Sequence, residues 1–395
     1  MSCALKLLGN DLKKIDIVHI YSGTSGIAGT YLNTIYETLK KTYSQELFVN
    51  YFYPFSEGKK IFYKHTELAG KNYFKNFNLF RFFLRFLELF NSLVCIFFFV
   101  FQKKPKYINY SLTSDLYLEY FFLRLIKTFS ISKIIITCHD VIPNANSYSD
   151  IEKSIKKRKL FFDLADKLLV HNSNSRLELI ERFNTCENKI ISHLFPIMDL
   201  SSFSASNNNL SKNNEVLQSD KKKLLFIGHM RKEKGVELLL EAWSRIDRKN
   251  MHLTVAGNIP PGFSYNFDKV DDSNFSLIDD FVSDHDFINL IKKSDFVILP
   301  YTRGTNSGIP SSIMSLGGIP LVSDIPMFIN NDLIDSQLLF DSGSVSSLSN
   351  KLIEVSFFSK SDMKKIRMKL EKKYIDYKHL FETSILNAYD SLDFL

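Results

Sequence analysis

The stretch FIGHMRKEKGVELLLEAW, residues 226–243, decides the fold. An apolar strand, KLLFI over 223–227, runs into Gly228. A short basic loop with Arg231, Lys232 and Lys234 follows, and a helical pattern opens near Gly235. Strand, glycine turn and helix in that order build parallel α/β sheets. The free N–H groups and the dipole at a helix N-terminus attract an anion. Arg231 can fork two phosphate oxygens, and Lys234 adds a point charge. The segment reads as a diphosphate site. Its plain alternative is a solvated basic turn.

The same alternation extends in both directions. Strand-like runs stand at 15–21, 47–53, 106–112, 133–138 and 167–171, with helical patterns between them. Residues 201–223, SSFSASNNNLSKNNEVLQSDKKK, are nearly free of large apolar side chains and read as a linker or mobile loop. Further strands are expected at 252–256, 296–299 and 319–322. The last stretch, 361–395, is helical and charged, with Tyr374, Tyr377, Leu380, Phe381, Ile385 and Tyr389 as its apolar face. The expected organisation is an α/β domain over 1–199, a linker over 200–222, a second α/β domain over 223–375, and a helix over 376–395 that returns to the first domain. Ligands of such folds sit at the carboxyl ends of the strands. Two such edges facing one another would form a cleft for a two-substrate reaction.

A second small-residue turn occurs in TNSGIPSSIMSLGGIPLVSD, residues 305–324. Asn306, Ser307 and Gly308 lead into a helix starting near Pro310, and Gly317-Gly318 end it. This is a second amide-lined pocket or an ordinary strand–loop–helix unit.

Composition bounds the partners. The chain has 395 residues, 45% of them hydrophobic, enough for two or three packed domains. A net charge of +7 implies no nucleic-acid partner. The charge is uneven: residues 1–199 hold 27 basic against 18 acidic groups, and the remainder 23 against 25. The basic half is a candidate for an anionic surface. Cys3, Cys95, Cys138 and Cys186 have no metal-ligand spacing, which suits a reduced cytosolic setting. The opening residues, MSCALKLLGNDLKK, lack a long apolar core, so no secretory signal is expected.

Residues 77–101, FNLFRFFLRFLELFNSLVCIFFFVF, carry only a thin polar stripe of Asn78, Arg81, Arg85, Glu88 and Asn91 or Ser92. The longest uncharged stretch, Leu89 to Phe101, is 13 residues, short of the ~20 that span a bilayer. Two readings stand: a core helix on a sheet, or a helix in the membrane plane with Arg81, Arg85, Lys103, Lys104 and Lys106 near lipid phosphates.

Taken together, the 226–243 and 305–324 segments resemble the C-terminal domain of retaining GT-B glycosyltransferases of family 4, the glycosyl transferases group 1. Phe226-Ile227-Gly228 and Glu233-Lys234-Gly235 fall in register with the family's FVGRxxxEKG. Gly308-Ile309-Pro310 and Gly318-Ile319-Pro320 fall in register with EGFGLPxxEAMAxGxPVV. Residues 136–143 (ITCHDVIP), 163–180 and 278–299 resemble further family segments, so the likeness spans most of 15–390. The resemblance implies a GT-B fold of two Rossmann-like domains and a nucleoside diphosphate sugar donor. It further implies retention of anomeric configuration, no essential metal and no cofactor. On that likeness the donor residues are Gly26, Gly228, His229, Arg231, Lys234, Asn306, Ser307, Gly308, Ile309, Ser311 and Ser312. His139, Arg231 and Lys234 are the catalytic candidates.

The family's usual Arg after FVG is His229 here, and Arg231 is positioned to take the phosphate role. The family's two glutamates fall on Thr305 and Ile313. Ile313 cannot hydrogen-bond a donor ribose, and Ser311 or Ser312 is the available substitute. The loop YSGTSGIAGTYL, 21–32, spaces Gly23, Gly26 and Gly29 as GxxGxxG rather than GxGxxG. The resemblance implies that it lies over the donor diphosphate, near the acceptor.

His139 ends the strand 133–138, and the resemblance places its equivalent near the donor sugar, where an imidazole could hydrogen-bond a hydroxyl or ease charge. Asp140 reads as a turn residue, and Ser173 and Asn174 as further cleft candidates. Asp284-His285-Asp286 looks like a metal-binding triplet but falls at a helix start, where Asp caps.

The expected function is transfer of a sugar to a hydroxyl of a glycan or lipid-linked oligosaccharide in bacterial surface polysaccharide synthesis, O-antigen or capsule. The expected location is the cytoplasm, peripheral on the inner face of the plasma membrane through 77–106. Two rivals are a non-catalytic nucleotide-sugar-binding protein and an NAD-dependent sugar-modifying enzyme.

Overall fold

The computed structural model describes residues 14–23, 27–51, 53, 55–68, 78–112, 116–142, 148–200, 221–268, 270, 273–304, 308–329 and 333–392. The chain divides into two compact units. Unit 1 is Met1–Phe195 with Phe381–Leu395, and unit 2 is Pro196–Leu380. The division falls at Phe195, and the expected linker over 200–222 lies almost wholly outside the described residues.

Unit 1 is built on seven parallel strands in the order β3-β2-β1-β4-β5-β6-β7. They are β1 (Ile17–Tyr21), β2 (Gln45–Asn50), β3 (Lys59–Phe62), β4 (Tyr107–Leu112), β5 (Lys133–Cys138), β6 (Lys167–Val170) and β7 (Ile190–Ser192). The helices between them are α1 (Ile27–Leu39), α2 (Lys64–Leu68), α3 (Asn78–Lys103), α4 (Tyr117–Phe129), α5 (Tyr148–Leu164) and α6 (Ser173–Phe183). Every residue of β1 and β4 is buried, because a parallel strand is covered on both faces and reads as a continuous apolar run. Val18, Ile20, Phe48, Ile108, Ile134 and Phe161 belong to one core.

A polar relay crosses this sheet. The Thr137 hydroxyl donates to Asn109 Oδ1 at 2.8 Å, and the Asn109 amide reaches His19 Nδ1 at 3.1 Å. His19 Nε2 meets Gln45 Oε1 at 2.7 Å, and the Gln45 amide donates to the Tyr36 carbonyl at 3.1 Å. The chain of donors fixes His19 as the neutral Nε2–H tautomer. Burial holds its pKa down at about 4, against the hydrogen bond to Gln45 that raises it.

Helix α3 has one face in the core and one face outward. Leu89, Leu93, Ile96, Phe99 and Val100 pack into the core, while Leu79 (87% exposed), Phe82 (72%), Phe83, Phe86, Leu87 and Phe90 face outward. The polar stripe points the other way. Glu88 accepts from the backbone N–H of His65 at 2.6 Å and of Thr66 at 3.1 Å, so it caps α2. Ser92 donates to the carbonyl of Ile61 in β3 at 2.8 Å. Arg85 lies 4.0 Å from the Tyr63 ring centroid, and Arg81 is half-buried. The expectation that Arg81 and Arg85 stand near lipid phosphates is therefore corrected: their place is against the protein, and the outward face is aromatic. Among the described residues α3 is the one helix long and apolar enough to cross a membrane, yet its other face is packed on the sheet.

Unit 2 carries six parallel strands in the order β10-β9-β8-β11-β12-β13. They are β8 (Lys222–Ile227), β9 (Met251–Ala256), β10 (Phe275–Ile278), β11 (Phe296–Leu299), β12 (Pro320–Ser323) and β13 (Leu339–Phe340). Its helices are α7 (Val236–Ser244), α8 (Asp284–Lys293), α9 (Ile309–Ser315), α10 (Pro326–Ile329) and α11 (Val345–Ser356). A last helix, α12 (Lys360–Asp390), belongs to unit 2 as far as Leu380 and to unit 1 from Phe381. Tyr377, Phe381, Ile385 and Tyr389 are buried as expected, whereas Leu380 is exposed.

Candidate active site

In unit 2 the 226–243 segment does what its residues require. Strand β8 ends at Gly228, whose N–H bonds the Ala256 carbonyl at 3.0 Å. The neighbouring strand end is Gly257, at φ +146°, where a Cβ would lie 1.9 Å from the Gly228 carbonyl oxygen. The two strand ends thus meet backbone to backbone. The turn that follows is tight: Arg231 N–H bonds the His229 carbonyl at 2.9 Å, and Lys232–Lys234 form a single 3-10 turn.

Helix α7 then starts at Gly235. At φ +69° a Cβ there would lie 1.8 Å from the Pro300 carbonyl oxygen, so no side chain fits. The turn is fastened to the end of β11 by Thr302 N–H donating to the Glu233 carbonyl at 2.9 Å. The Tyr265 hydroxyl holds the Met230 carbonyl at 2.8 Å.

The basic side chains are presented on this frame. His229 and Arg231 are exposed, and Arg231 forms no ion pair among the described residues. Lys234 is half-buried with its amine 3.8 Å from the Tyr301 ring centroid, a cation–π contact that fixes the charge. Burial, with a smaller contribution from the Glu233 charge, raises the Tyr301 phenol pKa well above its usual value, so it stays neutral beside the lysine.

The second turn is described only from Gly308; Asn306 and Ser307 lie outside the described residues, as does Gly26 in unit 1. A Cβ on Gly308 would lie 2.0 Å from the Met198 sulfur. Ser311 donates to the Gly308 carbonyl at 2.9 Å and accepts from Met198 N–H at 3.2 Å. Ser312 donates to the same carbonyl at 2.9 Å. Both serines are buried, so their hydroxyls serve the helix start and the 196–200 segment rather than an open surface. Ile309 is half-buried, and Ile313 is a core residue against Gly318.

The carboxyl edge of unit 1 gathers three histidines, each one residue beyond a strand: His139 after β5, His171 after β6 and His193 after β7. Ring centroids of His139 and His171 are 5.5 Å apart, and those of His171 and His193 are 4.7 Å apart. Tyr31 of α1 packs 4.2 Å from His139 and places its hydroxyl 3.3 Å from His171 Nε2. Burial lowers the pKa of His139 to about 4, opposed by Asp140 and assisted by Arg158. His139 is therefore uncharged at neutral pH, an imidazole suited to hydrogen-bonding a hydroxyl.

Sequence reading missed His171, His193 and Tyr31, and also Glu119, a fully buried carboxylate that accepts from the Ser22 hydroxyl at 2.8 Å. The signal was the position of His171, which follows its strand as His139 follows β5. Asp140 receives a hydrogen bond from Arg158 at its carbonyl, in keeping with a turn. Ser173 and Asn174 stand exposed at the start of α6, where Asn172 is the cap.

The triplet Asp284-His285-Asp286 opens α8. Ser283 accepts from Asp286 N–H at 3.1 Å and donates to its carboxylate at 2.6 Å, a reciprocal helix cap. No group of three or more metal-ligating side chains occurs among the described residues. Glu46, the acidic residue nearest the spacing that NAD binding wants, is on β2 and pairs with Lys59 at 3.0 Å.

Residues 207–366 match the family model described as Glycosyl transferases group 1. A glycosyltransferase from Rickettsia africae is similar at 15% identity and a TM-score of 0.62, over 96% of this chain and 98% of that one. A UDP-forming alpha,alpha-trehalose-phosphate synthase from Burkholderia vietnamiensis is similar at 10% identity and a TM-score of 0.61, over 96% and 99%. Anabaena HepE in complex with UDP-glucose is similar at 12% identity and a TM-score of 0.57, over 96% and 100%. No curated protein matches the chain by sequence. The two parallel-sheet units form a GT-B fold.

Proposed function

We propose that this glycosyltransferase, with its group 1 domain, moves a sugar from a nucleoside diphosphate sugar to a hydroxyl of a glycan or lipid-linked oligosaccharide. The observation that carries this reading is the basic turn at the carboxyl end of β8, with Arg231 free to fork a diphosphate and Lys234 held on Tyr301. As the sugar leaves, negative charge grows on the diphosphate, and preorganised cations there lower the barrier. Donors such as the UDP-glucose named with Anabaena HepE are the first to try. Neutral His139 orients a sugar hydroxyl. The reading includes family 4 character, retention of configuration without a metal, and a role in surface polysaccharide synthesis. The test is release of nucleoside diphosphate from a panel of nucleoside diphosphate sugars in the presence of glycan acceptors, with the product linkage assigned by NMR. Release without any metal and an anomeric centre like that of the donor support it. No release from any donor, or an inverted centre, contradicts it.

The protein is further proposed to work at the cytoplasmic face of a membrane. This rests on the outward face of α3, where Leu79, Phe82, Phe83, Phe86, Leu87 and Phe90 recur at three- and four-residue spacing. Monomeric soluble proteins rarely expose so large a contiguous apolar stripe. Phe82→Ser/Phe86→Ser is expected to reduce sedimentation with phospholipid vesicles about tenfold or more, with the far-UV spectrum unchanged. Equal sedimentation of both proteins would remove the membrane reading.

A further inference from the structure

The amino-terminal edge of the unit 1 sheet, opposite the histidines, holds a cavity of about 650 Å³. Parallel topology explains what gathers there, since helix ends and the starts of the strands that follow share an edge. Lys104 and Lys106 lead from α3 into β4, Lys133 starts β5, Lys167 starts β6, Lys189 precedes β7, and Lys14 precedes β1. These six lysines face a single carboxylate, Asp166. That carboxylate is already engaged, accepting from Ile134 N–H at 2.8 Å and pairing with Lys127 at 3.2 Å.

Positive charge is thus in excess. The pKa of Lys189 is lowered by burial and then by the charge of Lys127, with the nearby carboxylates opposing. Lys189 and Lys167 are held by backbone carbonyls of Asp163 and Asn188. The side chains of Lys14, Lys104 and Lys133 are exposed and make no hydrogen bond or ion pair among the described residues. An anion in the cavity relieves this repulsion. The walls between the lysines are apolar: Tyr107, Ile135, Leu392 and Ile131, the last 82% exposed. The same ends of α3 and α4 expose Phe98, Phe101 and Phe129.

We infer that this cavity binds the headgroup of an anionic membrane phospholipid, its phosphate among the lysines and its glycerol and chain roots against the apolar walls. A free phosphate would use the lysines and leave those walls idle. The inference rests on the membrane reading of α3 for the source of the lipid, and adds to it a headgroup site at the carboxyl end of that helix.

The test uses dihexanoylphosphatidylglycerol as monomers, below its micelle-forming concentration, with melting temperature as readout. It should stabilise the wild type, and the apparent affinity should fall about tenfold or more in Lys14→Gln/Lys104→Gln/Lys133→Gln. Dihexanoylphosphatidylcholine and inorganic phosphate at the same concentration should give no shift. Because no bilayer is present, Phe82→Ser/Phe86→Ser should keep the monomer shift while losing vesicles, which separates the cavity from the helix. An absent shift, a shift unchanged in the lysine variant, or an equal shift with inorganic phosphate would overturn the inference. Vesicle binding through α3 could survive each of those results.

Discussion

Replacing Arg231 and Lys234 together by alanine should lower the transfer rate about a thousandfold or more, since one preorganised donor to a developing anion accounts for roughly 10²–10³. The fold should survive. The frame of the turn is made by Gly235 against Pro300, by Thr302 N–H on the Glu233 carbonyl and by the Tyr265 hydroxyl on the Met230 carbonyl, none of which uses the two basic side chains. Arg231 is exposed, so its loss leaves no buried charge. Lys234 gives up a cation–π contact with Tyr301, about 1 kcal/mol in such settings. The measurement is kcat and KM of both proteins with the donor found by the release screen, beside their melting temperatures. A fall in kcat with a melting temperature within a few degrees places the effect on the leaving group. A rate within tenfold of wild type would make the segment an ordinary basic turn.

The second large effect is acid destabilisation of unit 1. His19 and His193 are buried and held from 6.5 down to about 4, in both cases mainly by desolvation. His171 is held well below its usual value by burial, then by His193 and His139. The groups facing His171 are Tyr31, His139, His193 and Phe195, and His193 faces the Leu194 carbonyl and Phe381; none is a carboxylate that would welcome charge.

The unfolded chain takes up protons on these imidazoles below pH 6.5 while the folded chain does not, so the unfolded state binds more protons between 6.5 and 4. Stability is full above 6.5 and falls as the pH drops toward 4, by at most roughly 3 kcal/mol for each of the two. The sole tryptophan, Trp243, is buried in α7 of unit 2, so its fluorescence follows that unit, whereas calorimetry and far-UV dichroism see both. The unit 1 transition should move down steadily from pH 7 to 5, with a shallower slope in His193→Asn. A transition that stays put over that range would mean that these imidazoles are not buried neutral.

Much of the fold was legible because central parallel strands are apolar on both faces. IDIVHIY, KYINYSL and KIIITC became β1, β4 and β5, and KLLFI became β8. The edge strands β3, β7, β10 and β13 escaped because they are short, and β3 carries lysines outward. Helix α3 was misjudged in its direction: a polar stripe on an apolar helix is usually its wet side, but here Glu88, Ser92 and Arg85 are consumed by α2, β3 and Tyr63. Only three-dimensional pairing shows that.

In the candidate site, the glycines and basic residues of 228–235 could be read because their spacing states a turn. His139 was read from its strand end, but its grouping with His171 and His193 could not be, since the three converge only through the register of β5, β6 and β7. Nor could the full use of Ser311 be foreseen, because its partner Met198 lies more than a hundred residues away in sequence, while both serines also bond the nearby Gly308 carbonyl.

The most direct measurement is the melting temperature with UDP, GDP, ADP, CMP and NAD, on wild type and on Arg231→Ala/Lys234→Ala. The account predicts stabilisation by a nucleoside diphosphate that the double variant loses, and none by NAD. A response that the variant keeps, or no response to any nucleoside diphosphate, would contradict a donor site at the end of β8.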